Sequence, residues 1–144
     1  MNKAKDLYKA ICLAILVFVL TVQPLSAAAA SKTIKVKVRL VSVELVENNH
    51  VGNEWYTESF INGKRIEEGE SVTLNLKSTG SVTLKAAAEE QDSIPDEGSN
   101  SSTIKASSIS KSITKSLDVV VEENRGRYSG NTAKWKFVYQ IQKL

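Results

Sequence analysis

Acidic side chains in turn-rich segments are the residues of this sequence whose type and spacing best suit chemistry. Four of them form a candidate set: Glu90, Asp92, Asp96 and Glu122. Calcium takes about six to eight oxygen ligands in irregular geometry, so loops that meet at one end of a β-structure can supply them. Pro95 stiffens the turn between the two aspartates. The set is predicted to bind calcium as a cofactor; the alternative is that these carboxylates are simply solvated.

A second cluster combines two arginines with a tyrosine: Arg125, Arg127 and Tyr128. The planar guanidinium group binds carboxylate and phosphate oxygens in a bidentate manner. These three residues are therefore predicted to bind a ligand. A structural alternative stays open, in which the arginines pair with Glu122, Glu123 or the carboxylates of residues 89–97 and lock two loops together.

Few residues in this sequence are suited to catalysis. His50 is the only histidine, and hydrolysis usually needs a base beside a nucleophile. The only cysteine, Cys12, lies in an N-terminal apolar run, so a zinc site of the usual ligands is excluded. We therefore predict no catalytic residue and no enzymatic activity; an enzyme would have to use His50 as its base.

The first 30 residues have the order of a secretory signal peptide. Lys3, Lys5 and Lys9 precede an apolar run over residues 10–22, and small residues allow cleavage after Ala28 or Ala30. That run is shorter than the roughly 20 residues that a membrane-spanning helix needs. We expect a secreted, extracellular protein without a permanent membrane anchor.

Removing this segment changes the charge balance. The whole chain has 19 basic and 16 acidic side chains, and the signal contains three lysines and Asp6. Residues 31–144 therefore keep 16 basic and 15 acidic side chains. Nucleic-acid-binding domains usually show a clear basic excess, so no nucleic-acid partner is expected.

Apolar residues alternate with polar ones along most of residues 31–144. The alternation covers 34–40, 55–61, 72–76, 82–88, 117–121 and 135–141. Its phase slips at Leu40, which predicts a β-bulge or a corner there, and Asn62-Gly63 predicts a tight hairpin. The pattern predicts an all-β, antiparallel β-sandwich of about seven or eight strands, with a small barrel as the alternative. Residues 89–102 are predicted as a polar loop, and 103–116 as either two short edge strands or a mobile ribbon.

Three segments carry a family resemblance: His50–Trp55, Asp92–Ser99 and Glu122–Trp135. With the signal peptide, they resemble small secreted β-sandwich proteins of Gram-positive bacteria, most of which have no assigned function. The resemblance spans about residues 34–142 and implies a fold and a compartment. There is also a loose likeness to calcium-dependent C2-type sandwiches, in which loops at one end supply aspartates; Asp92 and Asp96 match that pattern.

The resulting functional hypothesis is a secreted, non-enzymatic binding or surface-interaction module. Its ligand would be an extracellular or cell-surface molecule, its binding would depend on calcium, and the protein would be a monomer. The alternative is a secreted protein–protein interaction or inhibitor domain without metal, for which the serine-rich segment 103–116 is the candidate surface.

Overall fold

The computed structural model describes residues 32–144, which form eight strands. The strands are β1 (Thr33–Asn48), β2 (Trp55–Ile61), β3 (Lys64–Arg65), β4 (Ser71–Lys77), β5 (Ser81–Glu90), β6 (Asp96–Lys105), β7 (Ser112–Glu122) and β8 (Thr132–Lys143). Two single turns of 3-10 helix, Ala106–Ser108 and Gly126–Tyr128, lie in the connections. The predicted signal peptide, residues 1–30, lies outside the described residues.

The strands pair in two antiparallel sheets of four. The first has the order β4-β1-β8-β7 and the second β3-β2-β5-β6. The predicted antiparallel β-sandwich is therefore confirmed. Within residues 32–144, no helix has the length and apolar character required to cross a membrane.

The core lies between the two sheets because each long strand turns every second side chain inward. Its largest fully buried side chains include Leu40 of β1, Leu84 of β5, and Phe137 and Tyr139 of β8. The Tyr139 hydroxyl and the Ser59 hydroxyl of β2 lie 2.8 Å apart in a buried hydrogen bond. This bond joins the two sheets, and burial raises the pKa of Tyr139 although the bond opposes that shift.

Two local predictions about β1 and the first hairpin are confirmed. The pairing of β1 with β8 shifts between Leu40 and Ser42, which identifies the phase slip as a bulge. Asn62 and Gly63 both have positive φ, at 48° and 79°, and connect β2 to β3. The bulge keeps apolar residues on the inner face of β1 on both sides of the slip.

The prediction of a polar loop over residues 89–102 is wrong. β5 continues to Glu90, and β6 pairs with it from Asp96 to Lys105. Residues 103–116 form the end of β6, a 3-10 turn and the start of β7, both strands lying at sheet edges. Ile109 of the connection is buried in the core. The segment therefore belongs to edge strands, as one alternative predicted, but these strands have 10 and 11 residues and are not short. β6 pairs with β5 and β7 pairs with β8, each on one side only.

The polar composition of β6 follows from how closely it approaches β7 across the sandwich. A Cβ atom at Gly98 would overlap the carbonyl oxygen of Val120. The Asn100 Nδ2 group donates to the carbonyl of Asp118 at 2.8 Å. We call this β6–β7 side of the sandwich the closed flank. Small and polar residues suit it because backbone, not apolar side chains, fills the space between the strands.

Replacing Gly98 with alanine is expected to destabilise the protein, because its Cβ would meet backbone that has no room to move. A loss of about 1–3 kcal/mol is expected, as for other overpacked sites. Urea unfolding measures it, and Ser99→Ala on the same exposed strand is the matched control. Equal stability of G98A and S99A would show that the closed flank is not tightly packed.

Candidate functional site

Three connections meet at one end of the sandwich, which we call the three-loop end: residues 49–54, 91–95 and 123–131. Three hydrogen bonds join them to one another or to their neighbouring strands: Asn49 N–H to the Thr132 carbonyl (3.0 Å), Gln91 N–H to the Glu54 carbonyl (2.6 Å) and Asn124 Nδ2 to Asp96 Oδ1 (2.7 Å). Side chains from sequence-distant segments therefore share one surface.

The first loop is shaped by the side chain of Asn48. Its Oδ1 accepts the Val51 N–H at 3.0 Å, and its Nδ2 donates to the Gly52 carbonyl at 2.8 Å. Asparagine commonly closes turns in this way. His50 is held at a positive φ of 62°, which directs its ring out of the strand path while Val51 is buried in the core.

Two carboxylates face the interior at this end. Glu90 continues the inward-facing series of β5, and Asp96 is its direct partner across the β5–β6 ladder. They are only 6% and 4% exposed. Among residues 32–144 neither has an ion-pair partner. Two carboxylate residues thus lie opposite each other in one ladder, and both are shielded from solvent.

The two carboxylates have different surroundings. Asp96 accepts the Asn124 side chain, which also donates to the Glu122 carbonyl at 3.0 Å. Glu90 packs against the backbone of Gly52, where a Cβ atom would overlap the carboxylate. Burial is the main cause that raises the pKa of Glu90.

Charges near Glu90 add to that effect. The carboxylates of Asp92, Glu123 and Glu54 each raise the pKa of Glu90, and a backbone hydrogen bond with Glu54 partly opposes them. Three carboxylates therefore act on Glu90, which lies buried among them on the inner side of the three-loop end.

The four predicted calcium ligands are only partly brought together. Glu90 and Asp96 are neighbours, whereas Asp92 is engaged in its own turn, accepting the Ile94 N–H at 2.7 Å. Glu122 falls on the exposed face of β7 and contributes its backbone carbonyl. Within residues 32–144, no three His, Cys, Asp or Glu side chains come together as a metal site. Two of the four residues are thus direct neighbours across one ladder, and the set of four does not come together within residues 32–144.

Glu123 is the carboxylate that the sequence analysis missed. The charge of Glu123 raises the pKa of Glu90. The side chain of its neighbour Glu122 points outward, as the alternation of β7 requires. Extending that alternation beyond Val121, which is buried, is the signal that would have distinguished the two residues.

The predicted ligand-binding cluster lies in the third loop. Arg125 and Arg127 are exposed, and neither forms an ion pair within the described part of the chain. The proposed locking of this loop by arginine–carboxylate pairs is therefore not how the loop is held. Tyr128 is 47% exposed and stacks on His50, with ring centroids 5.8 Å apart and planes 13° from parallel. Sequence reasoning did not anticipate that pairing.

Trp55 and Trp135 pack beside the core where the three-loop end begins. Their rings contact edge to face at 5.6 Å. Both indole N–H groups are buried and have no acceptor among the described residues. The pair forms an apolar floor beneath the polar loops.

No protein-family model and no curated protein sequence matches this chain.

Replacing Glu90 with glutamine is expected to stabilise the protein at neutral pH, because it removes a negative charge that burial and the nearby carboxylates of Asp92, Glu123 and Glu54 disfavour. The pKa of Glu90 is raised in the folded state, so its ionisation opposes folding. That penalty is complete above the folded pKa and disappears below the ordinary value near 4.5. Urea unfolding from pH 4 to pH 7.5 should therefore show a gain that shrinks as the pH falls. The exposed Glu67→Gln variant is the control, and a pH-independent gain would contradict the explanation.

Proposed function

We propose that this chain is an exported, non-enzymatic binding module that presents the three-loop end to an anionic group of an extracellular or cell-surface ligand. The observation that carries the proposal is the exposure of Arg125 and Arg127, without ion-pair partners in the described residues, beside the stacked rings of His50 and Tyr128.

The two arginines are suited to this role because their charges are not used within the fold. Each guanidinium can donate two parallel hydrogen bonds to a carboxylate or phosphate. The aromatic stack next to them offers a flat surface that is already ordered, which lowers the entropy lost on binding. The buried carboxylates of Glu90 and Asp96 lie on the inner side of the same end, so they do not form ion pairs with the two arginines.

Export is supported by the order of charged, apolar and small residues in the first 30 positions. The nearly balanced charge of residues 31–144 supports a ligand recognised locally, by particular side chains, instead of by a general electrostatic field. Kinship with secreted sandwich proteins of Gram-positive bacteria is part of the same proposal, as is a monomeric state.

The R125Q/R127Q double variant is expected to lose anion binding because both guanidinium groups are removed. Inorganic phosphate and acetate serve as minimal probes and are titrated at constant ionic strength against chloride. We expect saturable NMR shifts at the amides of residues 125–128 and of His50, with a dissociation constant of about 1 mM. In the double variant this binding should weaken about tenfold or more.

K85Q/K105Q is the matched control, since it removes two exposed lysines from strands β5 and β6. It should bind both probes as the unchanged protein does. Shifts that chloride produces equally, or an equal loss in the two double variants, would show that the arginines act only through general charge and would reject the proposed site.

Calcium dependence is a second proposal, favoured by the buried pair of Glu90 and Asp96. A cation shared by these two carboxylates would neutralise buried negative charge, and the Asn124 side chain already lies against Asp96. Oxygen ligands of this kind are those that calcium prefers. The remaining ligands would have to come from rearranged loops.

Calcium binding would raise the melting temperature, because a ligand selective for the folded state stabilises it by about 2.7 kcal/mol at a concentration 100 times its dissociation constant. We expect a rise in millimolar calcium that chelator reverses and that D96N abolishes. D118N, which changes an exposed aspartate on β7, should keep the rise. Unchanged melting of the starting protein in calcium and in chelator would reject calcium.

A further inference from the structure

The side of the sandwich opposite the closed flank leaves strand edges uncovered in both sheets. β1 has 16 residues, but β4 pairs with it only from Thr33 to Arg39. In the second sheet, β3 has two residues and pairs only with Phe60 and Ile61 of β2. Residues 41–48 of β1 and 55–58 of β2 therefore each have a neighbouring strand on one side only.

These two edges border a cavity of about 230 Å³. Its apolar and neutral lining comprises Leu40, Val43, Thr57, Ser59, Ile66 and Phe137. We call the edge residues 41–46 and 55–58, with residues 65–68 of the connection, the open flank. The cavity gives an added segment space for inward-pointing side chains.

The backbone of β1 is accessible on this flank. The Val43 N–H is bonded to the Glu68 Oε2 atom at 3.3 Å, an exposed and long contact. A side-chain carboxylate thus holds the place that the carbonyl of a neighbouring strand would take. Because N–H groups alternate between the two sides of a strand, the N–H of Leu45 faces the same side.

Apolar side chains also line this edge. Val41, Leu45 and Val46 are 42%, 38% and 43% exposed. Residues 41–48 contain no lysine, arginine or proline, and the charged residues along this edge are the acidic Glu44 and Glu47. Bulges flank the stretch, between Leu40 and Ser42 and between Leu45 and Glu47, and leave residues 42–45 in regular register.

The charges around the cavity select between possible occupants. Three of its lining residues carry carboxylates, namely Glu58, Glu67 and Glu68, whereas Arg65 carries the single guanidinium. Arg65 lies 3.5 Å from Glu58 and 5.6 Å from the ring of Tyr56, so its charge is already engaged. A second copy of the same edge would bring like charges together. A basic segment would be attracted.

We propose that the open flank binds an extended partner segment with alternating apolar residues and Lys or Arg, which adds to β1 as an antiparallel or parallel strand beside residues 43–45. Its carbonyl replaces Glu68 on the Val43 N–H, and a second carbonyl accepts the Leu45 N–H. Its apolar side chains enter the cavity, and its basic side chains meet the released Glu68 and Glu67. This mode of recognition gains affinity from main-chain bonds and specificity from alternate side chains.

A seven-residue peptide of alternating valine and lysine is the probe. Calorimetry should show saturable binding to the folded chain, and hydrogen exchange should show new protection of the Leu45 amide. A peptide with glutamate in place of lysine should bind about tenfold more weakly or worse. A lysine peptide with a central proline, which lacks the donor and breaks the strand, should also lose binding. Equal binding of the lysine and glutamate peptides, or no binding of either, overturns the proposal.

Val46→Lys tests the location without disturbing the core, since Val46 is 43% exposed. It should weaken binding of the lysine peptide about tenfold, because it places a cation on the edge. Val120→Lys makes the same change at a 51% exposed residue on the outer face of β7 and should have no effect. Equal loss in both variants overturns the assignment. The R125Q/R127Q variant should bind the peptide normally, so failure at either site leaves the other proposal standing.

Discussion

Burial of one face of each sheet against the other is the constraint on which the rest of this molecule depends. Residues 31–144 have no cysteine for a disulfide, so the inward-facing residues of β1, β5 and β8 have to hold the sandwich together. Their alternation fixes which side chains enter the interior. It also places Glu90 and Asp96 there, because they occupy inward positions at the ends of paired strands.

The two flanks of the sandwich are consequences of the same packing. At the closed flank, β6 and β7 approach so closely that Gly98 lies against the backbone of Val120. At the open flank, β3 and β4 are too short to cover β2 and β1. At the closed flank the two edge strands β6 and β7 lie against each other, whereas at the open flank backbone and apolar side chains of β1 stay exposed. This asymmetry separates an interaction surface from the loops at the end.

Strands with an apolar inner face could be predicted from the sequence, as Trp55–Ile61 and the bulge after Leu40 illustrate. β6 could not, because its partner across the sandwich is backbone and its residues therefore need no apolar pattern. Whether the three loops meet at one end depends on long-range strand pairing, which local sequence patterns do not show. The stack of His50 on Tyr128 joins residues far apart in sequence, and local patterns carry no record of such contacts. The side chain of Glu122 points outward because β7 continues to that residue, and the sequence did not define where β7 ends.

The edge-to-face contact of Trp55 with Trp135 also has a practical consequence. These are the two tryptophans of the whole chain, and they lie together beneath the three-loop end. Intrinsic fluorescence therefore reports on one small region instead of averaging over the molecule. The buried indole N–H groups make the emission sensitive to any change in local polarity. The protein carries a built-in optical probe at the end of the sandwich where the arginines and buried carboxylates are found, and no label is needed to observe that region.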